Sequence, residues 1–354
     1  MKLLKQIFSS ITWISLILIA GFCNRNGDLP VEQAEGTFVE LSTGQDLFIG
    51  EIEDIVRAGD NYYAVDDRSR IIMFDSGLQV LTYIEVPGQG PGEIARSAAM
   101  RKAKDGLWVF DSESLKFVLY NDSLDFIKEF PAPDLFPHLG FTFLVKDSEI
   151  YTADNSTNSL ISVFNLDFGN HPDSLNPAPV DEIGVDLTFF DKSSRSQSRD
   201  NLYHIHRYGD DLVLVNRWNP VILIVSRRNG TYEVVNQYQY EDVEYFKRII
   251  QSNNDFHIRD ENAYSWKRLV WDSEIFNNNL VMLMATEESG SEFSSNILVL
   301  ELRKDEIEPK QIYQMGLEAN ENPWIHNIII DEGGNLLSVA SNYSDLIRFE
   351  LNLN

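Results

Sequence analysis

The chain has 354 residues, of which 43% are hydrophobic and 12% aromatic, enough for one large packed domain. Its 55 acidic and 29 basic residues give a formal charge of −26 at pH 7. A surface this acidic repels phosphate backbones and anionic headgroups, which argues against binding to nucleic acid or directly to anionic lipid. The same charge keeps a soluble domain apart from its copies, so we expect a monomer.

The N-terminal residues predict a secretion signal. Lys2 and Lys5 precede an apolar run over residues 7–22, and polar residues follow this run. The run is shorter than the ~20 residues that span a bilayer, so a permanent transmembrane helix is the weaker interpretation.

Cys23, the only cysteine, directly follows the apolar run. Residues 19–23, Ile-Ala-Gly-Phe-Cys, resemble the lipobox of bacterial lipoproteins, although Phe22 stands where that pattern has a small residue. The resemblance implies a lipid on Cys23 and a periplasmic or outer-membrane-anchored protein of a gram-negative-type envelope, touching membrane only through that lipid. The alternative is a plain cleavable signal peptide with an incidental cysteine. A lone cysteine cannot form an intramolecular disulfide.

One sequence pattern recurs along the rest of the chain: a turn, an apolar strand, a turn with Asp or Asn, and a second apolar strand. Asp66, Asp111 and Asp154 end the first strand in three successive copies, at intervals of 45 and 43 residues. A period of about 40 to 50 residues in an all-β chain predicts a β-propeller, and the six readable copies predict six four-stranded blades around a central channel. A β-sandwich also has many short strands, but the long regular period argues against it.

The sixth copy, which ends near Asn354, lacks an outer strand. Residues 37–42, Thr-Phe-Val-Glu-Leu-Ser, form a spare alternating segment that belongs to no other blade. We expect this N-terminal strand to complete the last blade, because a closed ring removes two exposed sheet edges. The predicted organisation is a signal peptide over residues 1–22, a linker over 23–36, anchored through Cys23 if lipidated, and one six-bladed β-propeller over 37–354.

Residues 88–93, Gly-Gln-Gly-Pro-Gly-Glu, lie between the first and second blades. Pro91 fixes φ at a turn corner and Gly92 can take the positive φ that follows, so we interpret the segment as a structural turn. Its glycine spacing matches neither a dinucleotide fingerprint nor a Walker loop. With residues 63–75, this segment resembles the bacterial six-bladed β-propellers related to NHL-repeat proteins. The resemblance implies a secreted or lipid-anchored envelope protein and names no activity.

Two insertions interrupt the period, over residues 181–201 and 241–271. Insertions on a regular scaffold often carry binding specificity. The aromatic second insertion fits a cap packed on the propeller equally well.

His138, His204 and His326 each fall at or before the inner strand of a different blade. Inner strands line the channel, so these imidazoles are candidate ligands for a metal ion, Zn²⁺ or Ca²⁺, although ordinary strand histidines explain them as well and no cofactor is otherwise expected. His204 and His206 alternate on one strand. Glu53, Arg101 and Asp272 share the inner-strand setting and are predicted to line the channel.

No sequence motif for a Ser, Cys or metalloprotease nucleophile is present. Propellers carry many unrelated functions, so the fold leaves the activity open. The sequence favours a non-enzymatic envelope module that binds a protein, peptide or glycan on one propeller face. The alternative is a metal-dependent lyase or hydrolase with its site in the channel.

Overall fold

The structure is a computed structural model that describes residues 29–41, 47–132, 142–147, 149–153, 161–165, 181–183, 202–241, 268–285, 294–303, 306–317, 325–340 and 345–353, with single residues 243, 244, 247 and 251. His138 and Cys23 therefore lie outside the described residues, as do most of the two insertions. No helix in the described part of the chain is long and apolar enough to cross a membrane.

The described strands form four-stranded antiparallel blades in chain order. The strands of blades one to three are β2 Ile52–Ala58, β3 Asn61–Asp66, β4 Arg70–Phe74, β5 Val80–Glu85; β6 Ser97–Ala103, β7 Gly106–Asp111, β8 Lys116–Tyr120, β9 Phe126–Pro131; β10 Phe143–Lys146, β11 Glu149–Ala153, β12 Ile161–Asn165 and β13 Asp181–Ile183.

The remaining blades follow the same order. Their strands are β14 Tyr203–Tyr208, β15 Asp211–Asn216, β16 Val221–Arg228, β17 Thr231–Gln239; β18 Val270–Phe276, β19 Asn279–Ala285, β20 Ser294–Arg303, β21 Glu306–Leu317; β22 Ile325–Ile330, β23 Leu336–Ala340 and β24 Leu346–Phe349, with β1 Val31–Val39 as the fourth strand of blade six.

The blades form a closed ring. Each inner strand, the first of its blade, contacts the inner strands of both neighbours, in the cyclic order β2, β6, β10, β14, β18, β22 and back to β2. Among the described residues, six hydrophobic cores fill the six contacts between neighbouring blades. Second and third strands are almost wholly buried, for example β7 and β8, because blades cover both of their faces. The predicted six-bladed β-propeller is confirmed.

β1 closes the ring, and it does so earlier in the chain than the sequence predicts. Its last residues, Gly36 to Val39, pair antiparallel with β24 and complete blade six, as expected. The strand begins at Val31, however, and residues 31–36 pair parallel with β21 of blade five. The segment expected as linker thus supplies part of the sheet, and β1 joins blades five and six into one eight-stranded sheet.

Gly36 is where β1 has both partners. It pairs with Leu317 on one side and Phe349 on the other. A Cβ atom at this position would lie 2.5 Å from the Phe349 ring, so only glycine fits between the two blades.

The first strand of the repeated sequence pattern is the second strand of its blade. The recurrent Asp that ends it is a structural residue. Asp66 accepts hydrogen bonds from the backbone N–H groups of Gly50, Arg68 and Arg70, and it forms a buried ion pair with the Arg70 guanidinium. Asp111 accepts four backbone N–H bonds in the same setting. We call Asp66 and Asp111 the turn aspartates. They fix two segments of the blade: the turn that leads into the third strand, and the residues that come just before the inner strand.

The segment 88–93 is a structural turn, as predicted. The Glu93 carboxylate accepts the Gly90 N–H at 2.8 Å, and Lys116 of blade two donates to the Gly90 carbonyl at 2.8 Å. Gly92 has a φ of +71°, and a Cβ atom there would lie 2.8 Å from the Phe126 ring. The glycines therefore let this link between blades one and two pack against the outer strand of blade two.

Candidate functional site

The inner strands place six residues at one equivalent position around the channel. In each blade this residue stands opposite the second-strand residue that is equivalent to Val65, one position before Asp66. In blade three the pairing of β10 with β11 must be continued by one residue to reach it. We call this set the channel ring: Asp54, Ala99, Thr142, His204, Asp272 and Asn327.

The ring side chains tie neighbouring inner strands together. Asp54 accepts the Met100 N–H of the next blade at 2.6 Å, and Asp272 accepts the Ile328 N–H of its next blade at 2.8 Å. Thr142 donates its hydroxyl to the Tyr203 carbonyl in the same manner. The ring is thus part of the scaffold as well as the lining of the channel.

Contacts of the ring residues continue around half of the ring, from blade one through six and five to four, with the Ile328 N–H bond to Asp272 as the link between blades six and five. The Asn327 amide donates to Asp54 Oδ1 at 2.7 Å, and His204 Nδ1 lies 3.6 Å from Asp272 Oδ1. Two atoms in this half are buried without a hydrogen-bond partner among the described residues: His204 Nε2 and Asn327 Oδ1. Because a buried polar atom normally has a partner, each such exception asks for an explanation.

A second layer lies two residues further along the inner strands, where Arg101, His206 and Glu274 are partly exposed to the channel. Arg101 donates to the carbonyls of Met100 and Phe143, and its guanidinium lies 3.6 Å from Asp54 Oδ2. Its side chain is therefore held in place and brings a positive charge to the middle of the cluster.

Burial dominates the proton affinities of the channel carboxyls. It raises the pKa of Asp272 to about 7, against the opposing effects of the Ile328 N–H and of Arg101. The pKa of Glu274 rises to about 8, through burial and then the neighbouring charge of Asp272. Burial also raises the pKa of Asp54. Strongly shifted carboxyls of this kind are typical of functional sites, although structural networks produce them too.

The channel histidines shift in the opposite direction. Burial, followed by the nearby charge of Arg217, lowers the pKa of His204 well below its usual value. Burial and Arg101 lower the pKa of His206 to about 3. At pH 7 both imidazoles are therefore neutral, and His206 Nε2 lies 2.7 Å from the Ser273 hydroxyl.

A cluster of arginine and tryptophan side chains lies where the inner strands of blades four and five begin. The Arg268 guanidinium lies 5.7 Å from the centre of the Trp218 ring and 4.3 Å from that of Trp271. Arg217 is buried beside them, and burial together with the charge of Arg268 lowers its pKa to about 9. We call Arg217, Trp218, Arg268 and Trp271 the mouth cluster.

Local hydrogen bonds position the mouth cluster. Asn216 Oδ1 accepts the Trp218 N–H at 2.9 Å and the Asn219 N–H at 2.7 Å, which bends the chain just after β15. The Arg217 carbonyl accepts the N–H groups of Leu269 and Val270 at 2.9 and 3.1 Å, which fixes this turn to the start of β18. Strands β13 and β17 end, and strands β14 and β18 begin, on this same side of the ring.

The structure brings some of the sequence-predicted site residues together and separates others. Arg101 and Asp272 belong to one electrostatic cluster with Asp54 and Glu274, neither of which was singled out from the sequence. Glu53 is the bulge residue of β2, is exposed, and interacts with Arg96.

His326 is likewise the bulge residue of β22, so Asn327 takes the ring position in blade six. Within the described ranges, no three His, Cys, Asp or Glu residues are placed to share a metal ion. The metal site built on His138, His204 and His326 stays a prediction, since His138 lies outside those ranges.

Comparisons with known proteins concern the fold. Residues 31–166 match the DUF5128 family, described as a 6-bladed beta-propeller. No curated protein matches the sequence.

A Bacteroides fragilis protein whose name describes it as exported is 12% identical, with a TM-score of 0.54 over 91% of this chain and 99% of that one. A DUF4221 family member from Bacteroides vulgatus is 11% identical, with a TM-score of 0.50 over 91% and 98%. The resemblance noted in the sequence is thereby confirmed: over residues 31–166 the chain matches a family of six-bladed β-propellers. Its whole fold is similar to those of the two Bacteroides proteins.

Proposed function

We propose that this protein is a non-enzymatic binding module of the bacterial cell envelope, which recognises a protein, peptide or glycan at the mouth of its channel. The observation that carries the proposal is the mouth cluster, in which the Arg268 guanidinium lies over the rings of both Trp218 and Trp271. Tryptophan and arginine dominate the residues on which binding energy depends in protein interfaces. Trp218 and Arg268 are partly exposed, whereas Arg217 and Trp271 are buried behind them. The rigid propeller end holds the exposed pair in a fixed geometry, which lowers the entropy lost on binding.

Charge supports the same face. The chain carries a formal charge of −26, yet two of its arginines lie close together. The charge of Arg268 is near enough to lower the pKa of Arg217. A local positive site on an acidic protein selects partners by charge and leaves most of the surface repulsive.

The test is a pull-down from solubilised envelope with the wild type and with Trp218→Ala plus Arg268→Ala. We expect the double variant to lose its partner. A matched exchange on the outer edge, Tyr83→Ala plus Lys128→Ala, removes an aromatic and a cation that are both exposed and should retain it. Equal retention by both variants would place the interface elsewhere and refute the proposal.

We further propose that the protein is exported and anchored through a lipid on Cys23, as its lipobox-like sequence suggests. Two acyl chains on one cysteine give stable membrane attachment where a single chain does not. The wild type should fractionate with envelope membranes and Cys23→Ala with the soluble periplasm. If both proteins are soluble, the anchor is wrong while export stands.

A further inference from the structure

We propose that the partner of this protein is a folded protein domain that covers the whole end of the propeller. It meets a second contact, Phe48 and Arg68, across the channel opening from the mouth cluster. The inference rests on the proposed function and narrows its partner to one class. The Arg68 guanidinium lies 5.0 Å from the centre of the Phe48 ring, and both side chains are exposed. We call Phe48 and Arg68 the far pair.

The far pair lies at the same end of the channel as the mouth cluster. Arg68 is two residues past the end of β3, and its N–H donates to Asp66 Oδ1 at 3.1 Å. Trp218 is two residues past the end of β15, and its N–H donates to Asn216 Oδ1 at 2.9 Å. Arg68 and Trp218 therefore occupy the same turn in blades one and four. These blades are three steps apart in the ring of six, so the two residues stand on opposite sides of the opening.

The far pair is accessible from solvent. Phe48 is 66% exposed, the highest value for a large hydrophobic side chain in the described part of the chain. Single exposed apolar residues are ordinary on protein surfaces. Phe48 differs from these because it stands beside a guanidinium, as Trp218 stands beside Arg268 on the other side of the opening. Trp218 and Arg268 are partly exposed too, so a partner reaches both pairs without entering the channel.

The arginines of both pairs fit carboxylates on the partner. Among the described residues the Arg68 guanidinium forms no ion pair and lies over the Phe48 ring. A guanidinium placed over an aromatic ring still has N–H groups at its edge, which bind a carboxylate through two parallel hydrogen bonds. The formal charge of −26 repels an acidic partner from most of the surface, so carboxylates at these points also fix its orientation.

The separation of the two pairs decides the class of partner. A single sugar unit or a short peptide meets one pair, and a glycan chain long enough to bridge them loses much of its conformational freedom on binding. A folded domain presents two fixed points at once. Stable protein interfaces bury about 800 Å² on each partner and concentrate their binding energy in Trp, Tyr and Arg residues. The geometry therefore favours a protein surface over the other two classes.

The experiment is photocrosslinking of the full chain in the cells that make it. The photoreactive amino acid p-benzoylphenylalanine replaces Phe48 or Trp218. The matched control replaces Leu81, an apolar side chain that is 52% exposed on the outer edge of blade one. We expect the positions of Phe48 and Trp218 to give adducts with one and the same protein, identified by mass spectrometry, and the position of Leu81 to give no adduct with it.

Substitutions at the far pair test whether both contacts bind one partner. Phe48→Ala plus Arg68→Ala should lower the yield of the adduct at Trp218 about tenfold. The control, Leu81→Ala plus Arg207→Ala, removes an exposed apolar side chain and an exposed guanidinium elsewhere and should leave that yield unchanged. An unchanged yield in the first variant overturns the inference.

The adducts also separate this inference from the proposed function. An adduct at Trp218 without one at Phe48, different proteins at the two positions, or a polysaccharide in the adduct overturns the inference and leaves a binding module at the channel mouth. The absence of any adduct at Trp218 contradicts the proposed function and this inference together.

Discussion

The turn aspartates and the channel aspartates are all buried but differ in the hydrogen-bond donors that surround them. Asp66 and Asp111 are 1% and 0% exposed and each accepts hydrogen bonds from at least four groups. Asp272 is 9% exposed and, within the part of the chain that the structure describes, accepts two backbone N–H bonds. Donors replace the lost water at the turns and do so incompletely around Asp272. Burial with too few donors raises the proton affinity of a carboxyl, which accounts for the raised pKa of Asp272.

The largest effect should come from a turn aspartate. Asp66→Ala leaves the Arg70 guanidinium buried without its partner, and we expect a loss of about 3–5 kcal/mol in the free energy of unfolding. Asp75→Ala removes a carboxylate that accepts two backbone N–H bonds in a more exposed turn and should cost about 1 kcal/mol. Urea denaturation measures both. Similar losses in the two variants would contradict a special role for the buried ion pair.

Asp272→Asn should change the pH dependence of stability. The pKa of Asp272 is about 7 in the folded state and near 3.9 when unfolded, so the folded protein binds this proton more tightly. The unfolding free energy of the wild type therefore falls as the pH rises from about 4 to about 7, and the variant lacks this fall. Between pH 5 and pH 8 the variant should gain about 2.5 kcal/mol relative to the wild type.

The groups that face Asp272 do not reverse this sign. Glu274, whose raised pKa is partly due to Asp272, shifts the difference in the same direction. His204 loses stability as the pH falls below about 6.5, but it does so in both proteins and cancels to first order. Thr142→Val, which removes no titratable group, serves as the control with a constant difference. A constant difference for Asp272→Asn as well would show that its pKa is not raised.

The smallest effect is expected for Ser273→Ala. It removes the 2.7 Å contact with His206 Nε2, worth about 1 kcal/mol. The His206 imidazole then lacks this hydrogen bond, so two-dimensional NMR should show a changed His206 titration. Ser112→Ala, at a partly exposed hydroxyl 3.3 Å from the Arg96 carbonyl, should stay within about 0.5 kcal/mol of the wild type. An equal loss in both variants would remove His206 from the channel network.

The blades were predictable from the sequence because their signal is periodic. Apolar second and third strands recur with turn residues at fixed spacing, and Asp66 and Asp111 repeat at equivalent positions. The channel was less predictable, because β-bulges shift which residue faces it. A bulge between Ile52 and Asp54 replaces the expected Glu53 by Asp54, and one between Ile325 and Asn327 replaces His326 by Asn327.

The early start of β1 was also beyond the sequence pattern. Residues 31–36 lack the apolar alternation of a central strand and pair at the exposed edge of blade five, where Ala34 is buried and Glu35 is exposed. Pairing at a sheet edge depends on backbone N–H and C=O groups more than on a particular side-chain pattern. A strand that pairs there can therefore be polar, and its sequence does not reveal it.

The double pairing of β1 has a mechanical consequence. A pull directed along β1 from the chain ahead of Leu29 would load its hydrogen bonds to both β21 and β24. Bonds sheared in parallel must break together, whereas bonds peeled from one end break in turn. The ring is thus fastened at the point where a tether would strain it, with load shared between two blades.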